Sequence, residues 1–346
     1  HLSPEFGLTY KEIENDGFHI DKKIETILSA DTPTAIAKST GLGMIGIADA
    51  LSDLQPDLMI VVGDRYELLA ASFSAVTSRI PIAHIHGGET TEGAFDESIR
   101  HSITKMSWWH FAAAEEYRKR IIQLGENPER VFNVGGLGVD IIKNSQLLSK
   151  EELIKKTGIN FSSKNLLVTY HPVTLEDQTS KDNMHSLLEV LTEMNDINLI
   201  FTMPNADSDR NSIFSMIETF VSNYSDRAIV FTSMGHLNYM STLQFVDGVI
   251  GNSSSGLLEA PSYQIGTINI GDRQMGRLKA ESVIDCKPFK TDINNAIQKL
   301  YSTEFQDKLN TVINPYGFGG ASEAIVNILD SITLDGIHKK KFYDYL

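Results

Sequence analysis

Short apolar runs of strand length alternate with amphipathic stretches along most of this chain. That pattern belongs to parallel sheets assembled from β–α–β crossovers. In the first half it predicts strands at Leu58–Val62, Ile80–Ile85, Trp109–Ala112 and Val131–Val134, with helices at Ile36–Leu54, Glu67–Ser78, Asp96–Met106 and Glu115–Leu124. The second half gives strands at Leu166–Tyr170, Ile197–Thr202, Ala228–Phe231, Gly248–Ile250, Thr267–Ile270 and Ser282–Ile284. Its helices are expected at Asn183–Met194, Ser208–Asn223, His236–Phe245, Ser254–Tyr263 and Asp292–Tyr301, with a closing helix at Ala321–Leu334. The polar stretch Ser145–Lys164 reads as the boundary between two halves. The fold class is therefore α/β, with two Rossmann-like, doubly wound domains facing each other across a cleft.

Composition narrows the partners. At 346 residues the chain exceeds one ordinary core, which agrees with two domains. A formal net charge of −15 argues against nucleic acid and anionic membrane. The same field opposes a phosphorylated substrate, so such a site needs local positive charge or well-placed N–H groups. One cysteine, Cys286, allows no internal disulfide and fits a reducing cytoplasm. No long apolar run and no signal-peptide pattern is present. The opening at His1 reads as a loop leaving an element that is not there. A leading segment of roughly 30–40 residues, about one β–α–β unit, is expected before it.

Chemistry concentrates behind the strand ending at Ile85. Residues 82–100 carry two histidines, four carboxylates and three glycines at what should be the carboxyl edge of a sheet, where open α/β sheets bind ligands. Asp64 and Arg65 end the preceding strand; Asp64 suits a general base, or else a helix cap. His84 and His86, two apart on a strand, should share a face, and with Asp64 and Glu89 could suggest a metal site. His84 is instead expected to pack within the strand, with His86 acting at its tip and no metal bound. Asp96 and Glu97 open the next helix, where the dipole favours acids. His171, halted by Pro172, stands at a strand edge, able to meet a phosphate or a leaving group. The run Gly251–Glu259 leads from a strand through three serines and Gly256 into an apolar stretch, a candidate anion site at Ser253 and Ser254. Arg273, after the next strand, offers a cation to it. Gly41-x-Gly43-x-x-Gly46 has dinucleotide-fingerprint spacing, but polar Ser29–Thr40 with Pro33 stands where the feeding strand should be. Those glycines are read as a close helix approach.

These motifs, in order and over essentially the whole chain, resemble the hydrolysing UDP-N-acetylglucosamine 2-epimerases of bacterial sialic acid synthesis. They are Val-Val-Gly-Asp-Arg-Tyr-Glu at 61–67, His-Ile-His-Gly-Gly-Glu at 84–89, Asp-Glu-Ser-Ile-Arg-His-Ser-Ile-Thr-Lys at 96–105, His-Pro-Val-Thr at 171–174, Gly-Asn-Ser-Ser-Ser-Gly-Leu-Leu-Glu at 251–259 and Ile-Asn-Ile-Gly-Asp-Arg-Gln at 268–274. The non-hydrolysing branch has His-Val-Glu-Ala-Gly-Leu-Arg-Thr at the second motif, unlike this chain. Many relatives carry glutamate at the position of His86, others histidine. Their opening Gly-Thr-Arg-type loop has no counterpart here.

The resemblance implies a GT-B type fold: an N-terminal domain over 1–150, a nucleotide-binding domain over 160–318, and a segment 319–346 whose helix crosses back to the first domain. It implies C2 proton removal from UDP-N-acetylglucosamine, loss of UDP, and water addition to give N-acetylmannosamine, without metal, nicotinamide or other cofactor. Asp64, His86, Asp96 and His171 are then the catalytic candidates. Arg65, His171, Asn205, Met234, Ser253, Ser254, Gly256, Glu259 and Arg273 are candidates for holding the UDP-sugar, Glu259 at the ribose. A cytoplasmic homo-oligomer, dimer or tetramer, is expected, with no nucleic-acid or membrane partner. Two alternatives stay open: a sister hydrolysing epimerase acting on UDP- or GDP-linked N,N'-diacetylbacillosamine for legionaminic acid synthesis, and a catalytically inactive sugar-nucleotide sensor.

Overall fold

The computed structural model describes residues 1–2, 8–28, 32–92, 95–144, 146–172, 179–204, 210–334 and 339–344. Residues group by contact into two compact units: unit 1 is His1–Glu89, Phe95–Val134 and Glu323–Leu346, and unit 2 is Thr90–Ala94 and Gly135–Ser322.

Unit 1 holds strands β1 (Met59–Val62), β2 (Ile82–Ile85), β3 (Trp109–Ala112) and β4 (Val131–Asn133). They form one parallel sheet in the order β1-β2-β3-β4. Its helices are α1 (Tyr10–Asn15), α2 (Pro33–Leu54), α3 (Tyr66–Thr77), α4 (Asp96–Met106) and α5 (Glu115–Gln123). Every residue of β2 and β3 is buried, as strands covered on both faces require. The glycine run at 41–46 lies inside α2. A Cβ on Gly43 would sit 3.4 Å from that of Ala70 on α3, so these glycines let two helices approach closely. Pro33, which interrupts the polar lead-in, is the first helical residue behind a capping Thr32, a position where its missing N–H costs nothing.

Unit 2 carries β5 (Asn165–Thr169), β6 (Asn198–Thr202), β7 (Ala228–Phe231), β8 (Gly248–Gly251), β9 (Gly266–Ile270) and β10 (Val283–Cys286). The sheet is parallel, in the order β10-β9-β8-β5-β6-β7. Chain progression therefore reverses between β5 and β8, which are paired neighbours. That is a topological switch point, where a doubly wound sheet leaves a crevice beyond its carboxyl ends. Around it lie α6 (Leu137–Asn144), α7 (Lys150–Thr157), α8 (Thr179–Glu193), α9 (Arg210–Asn223), α10 (His236–Leu243), α11 (Ser255–Leu258), α12 (Lys290–Leu300) and α13 (Thr303–Leu309).

Three differences from the sequence reading have physical causes. The chain passes between units at Val134–Gly135, ahead of the polar 145–164 stretch. That stretch contains α7, closed by a Ser149/Glu152 capping box and ended by left-handed Gly158. The helix expected over Ser254–Tyr263 stops after four residues and continues as a 3-10 turn, Ala260–Tyr263, because Pro261 supplies no N–H and clashes one turn back.

The last helix, α14 (Ala321–Ser331), opens on Asp140, whose carboxylate accepts from the backbone N–H of Gly320, Ala321 (2.7 Å) and Ser322. Farther on, Lys340 donates to buried Glu126 (2.6 Å) and to the Lys105 and Ser107 carbonyls at the end of α4. Those three acceptors match its three donors. Phe342 packs beside Gly125, where a Cβ would collide with its ring. Among the described residues no helix is long and apolar enough to cross a membrane.

Candidate active site

In unit 1, Asp64 follows β1 after Gly63. Arg65, not Asp64, takes the cap position of α3, so the aspartate is not used as a helix cap. Its carboxylate instead meets the guanidinium of Arg100, which is 2% exposed and also donates to Glu97 at 3.0 Å. Glu97 in turn lies 3.0 Å from the His101 ring. A guanidinium this deep must be paired to be tolerated, and here two carboxylates share it. Arg100 stands one turn after Asp96 on α4, so the same helix turn carries both. Arg65 itself is exposed and pairs with Glu67 at 3.4 Å. Burial works to lower the pKa of Arg65, but the charges of Glu67 and then Asp96 raise it above its ordinary value, placing Asp96 within reach of that cation.

The two histidines of the second motif do different jobs. His84 is fully buried. Its Nε2 lies 2.8 Å from the Gly63 carbonyl, which can only accept, so that nitrogen carries the hydrogen; Nδ1 faces Thr104 at 3.3 Å. Burial pushes its pKa down to about 3. His86 lies past the end of β2 with φ of +64°, so strand alternation does not carry through and the two rings do not share an outward face. The expectation of a common face is corrected on that ground, and with both His84 nitrogens engaged the metal pairing loses its geometry. His86 Nδ1 instead lies 2.6 Å from Glu89 Oε1. The turn needs Gly88, at φ +75°, because a Cβ there would strike the Tyr117 carbonyl.

In unit 2 the groups gather at the switch point. Asn252, 1% exposed, accepts from the His171 N–H at 2.7 Å and donates to the His171 carbonyl at 2.8 Å, tying the ends of β5 and β8. Its own carbonyl accepts from Arg273 (3.1 Å) and Gln274 (2.8 Å). Gly251, at φ +140°, brings the β8 tip against Thr169, where no side chain would fit. Burial, then the charge of Arg273, depress His171 to about 3, so at neutral pH its ring is an uncharged donor and acceptor. Ser253 accepts weakly from the Ser255 N–H at 3.4 Å. Ser254 caps α11 without a side-chain cap bond.

Tyr239 donates to Ser255 Oγ at 2.7 Å. Glu259 ends α11 near Tyr239, Tyr263 and Gly138. Burial first, and Glu259 second, raise the Tyr263 hydroxyl to about 12. Gly256 packs against Thr267 of β9. The Met234 side chain lies in the core with Met240, Leu243 and Val246, which leaves its backbone for any nucleotide contact. Asn205 lies outside the described residues. Sequence reasoning did not single out Arg100, Asn252, Gln274 or Tyr239. Arg100 had a signal in its one-turn spacing from Asp96, while Tyr239 had none.

Two parallel α/β units, one with a switch-point strand order, define the class. The crystal structure of the Neisseria meningitidis UDP-GlcNAc 2-epimerase bound to UDP-GlcNAc matches with a TM-score of 0.78 at 20% identity, over 92% of this chain and 88% of that one. The fold is that of the GT-B type. The family model for UDP-N-acetylglucosamine 2-epimerase matches residues 1–330, and the chain belongs to that family. A GDP/UDP-N,N'-diacetylbacillosamine 2-epimerase (hydrolyzing) of Campylobacter jejuni is 42% identical over 99% of this chain and 89% of its own length. Polysialic acid biosynthesis protein P7 of Escherichia coli is 37% identical over 99% of this chain and 88% of its own.

Proposed function

We propose that this chain is a hydrolysing 2-epimerase of nucleotide-linked N,N'-diacetylbacillosamine, releasing the free 2-epimeric sugar and a nucleoside diphosphate. The observation that carries the reading is the 42% identity over 99% of the chain with an enzyme named for that reaction. The acid–base groups at the edge of the first sheet fit it. A base takes the C2 proton, the C1–O bond breaks with its electron pair leaving on the diphosphate, and a C1–C2 double bond forms. A proton then returns to C2 on the opposite face while water supplies hydroxyl to C1. Protons move and no net redox change occurs, so acid–base groups are what the site must supply.

Asp64, oriented by Arg100, with His86 and Asp96, supply these groups on the first unit. On the second, Ser253, Ser254 and Arg273 hold the diphosphate. Neutral His171 adds a hydrogen bond, and Arg273 carries the positive charge that a chain of net charge −15 must provide locally. Glu259 accepts from ribose hydroxyls.

A second reading, UDP-N-acetylglucosamine as substrate with N-acetylmannosamine as product, is favoured by 31% identity over 87% of this chain with a protein of Neisseria meningitidis serogroup B named UDP-N-acetylglucosamine 2-epimerase. Supplying UDP-N-acetylglucosamine and the UDP- and GDP-linked diacetylated sugars in parallel decides between them. A kcat/KM at least about tenfold higher for a diacetylated sugar is expected, a preference worth about 1.4 kcal/mol. Faster release of UDP from UDP-N-acetylglucosamine would replace the first reading with the second. Tight binding without release of nucleoside diphosphate from any of them would make the chain a sensor.

A further inference from the structure

Glu89 belongs to neither set of groups above, yet it is the partner of His86, the first residue after β2. We propose that Glu89 is a positioning residue that holds His86 as its Nδ1–H tautomer, making Nε2 the basic nitrogen at this tip. The inference rests on the acid–base reading of His86. Nδ1 lies 2.6 Å from Glu89 Oε1. An ionised carboxylate only accepts, so the hydrogen between them belongs to the imidazole. Glu89 is 4% exposed, and a carboxylate that deep requires donors.

The backbone around the pair is held in place as well. His86 adopts φ +64°, a conformation rare outside glycine and concentrated at functional sites. It is fixed by its N–H on the Phe111 carbonyl at 3.0 Å and, two residues on, by Arg120 donating to the Gly88 carbonyl. An imidazole steered by a carboxylate accepts a proton on its far nitrogen, and the resulting cation is stabilised by the same carboxylate. A proton taken by Nε2 from C2 is released to solvent before the next turnover, so the pair does the work of a single carboxylate base. Other charged or titratable groups on neighbouring elements are Asp64 and Arg65 after β1, Asp96, Glu97, Arg100, His101 and Lys105 on α4, His110 on β3, and Glu115, Glu116, Arg118, Lys119 and Arg120 on α5. His84 sits two residues back on β2 and is held neutral by burial.

The test reads the tautomer and the kinetics separately. In ¹⁵N-labelled wild-type protein, long-range ¹H–¹⁵N spectra of the His86 ring should show the hydrogen on Nδ1. Glu89→Gln, whose amide can donate to Nδ1 instead, should lose that preference. Its kcat should fall about 10²-fold or more with KM changed by less than about threefold. Its pH–rate profile should differ from that of wild type, because the imidazolium has lost its counter-charge. Glu89→Asp should recover kcat to within about tenfold of wild type. A wild-type hydrogen on Nε2 overturns the proposal whatever the variants do. So does a Glu89→Gln enzyme that loses thermal stability but keeps kcat and its pH profile. If wild type turns over none of the nucleotide sugars, the functional reading fails, while the wild-type tautomer still decides this one.

Discussion

At the edge of the first sheet, charge is answered by charge: Arg100 between Asp64 and Glu97, and Glu89 against the His86 ring. At the edge of the second, the hub is a neutral amide. Asn252 clamps His171 through its side chain and gathers Arg273 and Gln274 through its carbonyl. Ionisable groups whose geometry is imposed by buried partners are suited to moving protons. Amides, hydroxyls and a histidine kept neutral by burial are suited to holding a diphosphate without exchanging protons with it. The two edges thus differ in chemistry as well as in sequence, and variants at each should fail differently.

The largest expected effect is at the first edge. Asp64→Asn keeps the shape but removes the proton acceptor, so kcat should drop about 10²–10⁴-fold while UDP affinity, measured by calorimetry, stays unchanged. Equal losses in both would break the division of labour. Next, Ser254→Glu should weaken UDP binding at least tenfold, since a hydrogen bond to a charged group is worth about 1.5–3 kcal/mol and the new carboxylate adds repulsion. Unchanged UDP affinity would show that the serine merely begins α11.

Acid should then unfold both units through their buried histidines. His84 and His171 near 3 and His110 near 4 stay neutral when folded, but the unfolded chain protonates them below about 6.5. The unfolded state therefore binds more protons, and stability falls as pH drops from about 6.5, by up to about 1.4 kcal/mol per pH unit for each histidine. Thermal melts from pH 7.5 to 5 check the sign; a flat Tm contradicts it. The smallest effect concerns the Lys340 clasp. Lys340→Met leaves buried Glu126 with His110 and Lys105 alone and should lower Tm by a few degrees, a loss of about 1–3 kcal/mol. It should leave UDP affinity untouched.

How much of this was visible in the sequence depends on which forces acted locally. Trp109–Ala112, Ala228–Phe231 and Asp96–Met106 occur with the boundaries their patterns predict, because period and burial agree there. Helix α7 escaped notice since it buries only Leu153; its capping box was the available sign. The shortened α11 was legible in Pro261. The separation of His84 from His86 was not, because period-two alternation presumes strand backbone and His86 leaves it at φ +64°. Nor was the Asn252 hub, which depends on β5 and β8 becoming neighbours at the switch point. Spacing along the chain carries no trace of that.

The proposed reaction depends on proton exchange at C2 by the groups of the first edge. It is tested most directly by turning over the preferred nucleotide sugar in deuterium oxide and reading C2 of the released sugar by NMR. One deuterium is expected at C2 of the epimerised product, formed by wild type and about 10²–10⁴-fold more slowly by Asp64→Asn. Released sugar that keeps its original C2 hydrogen would contradict it.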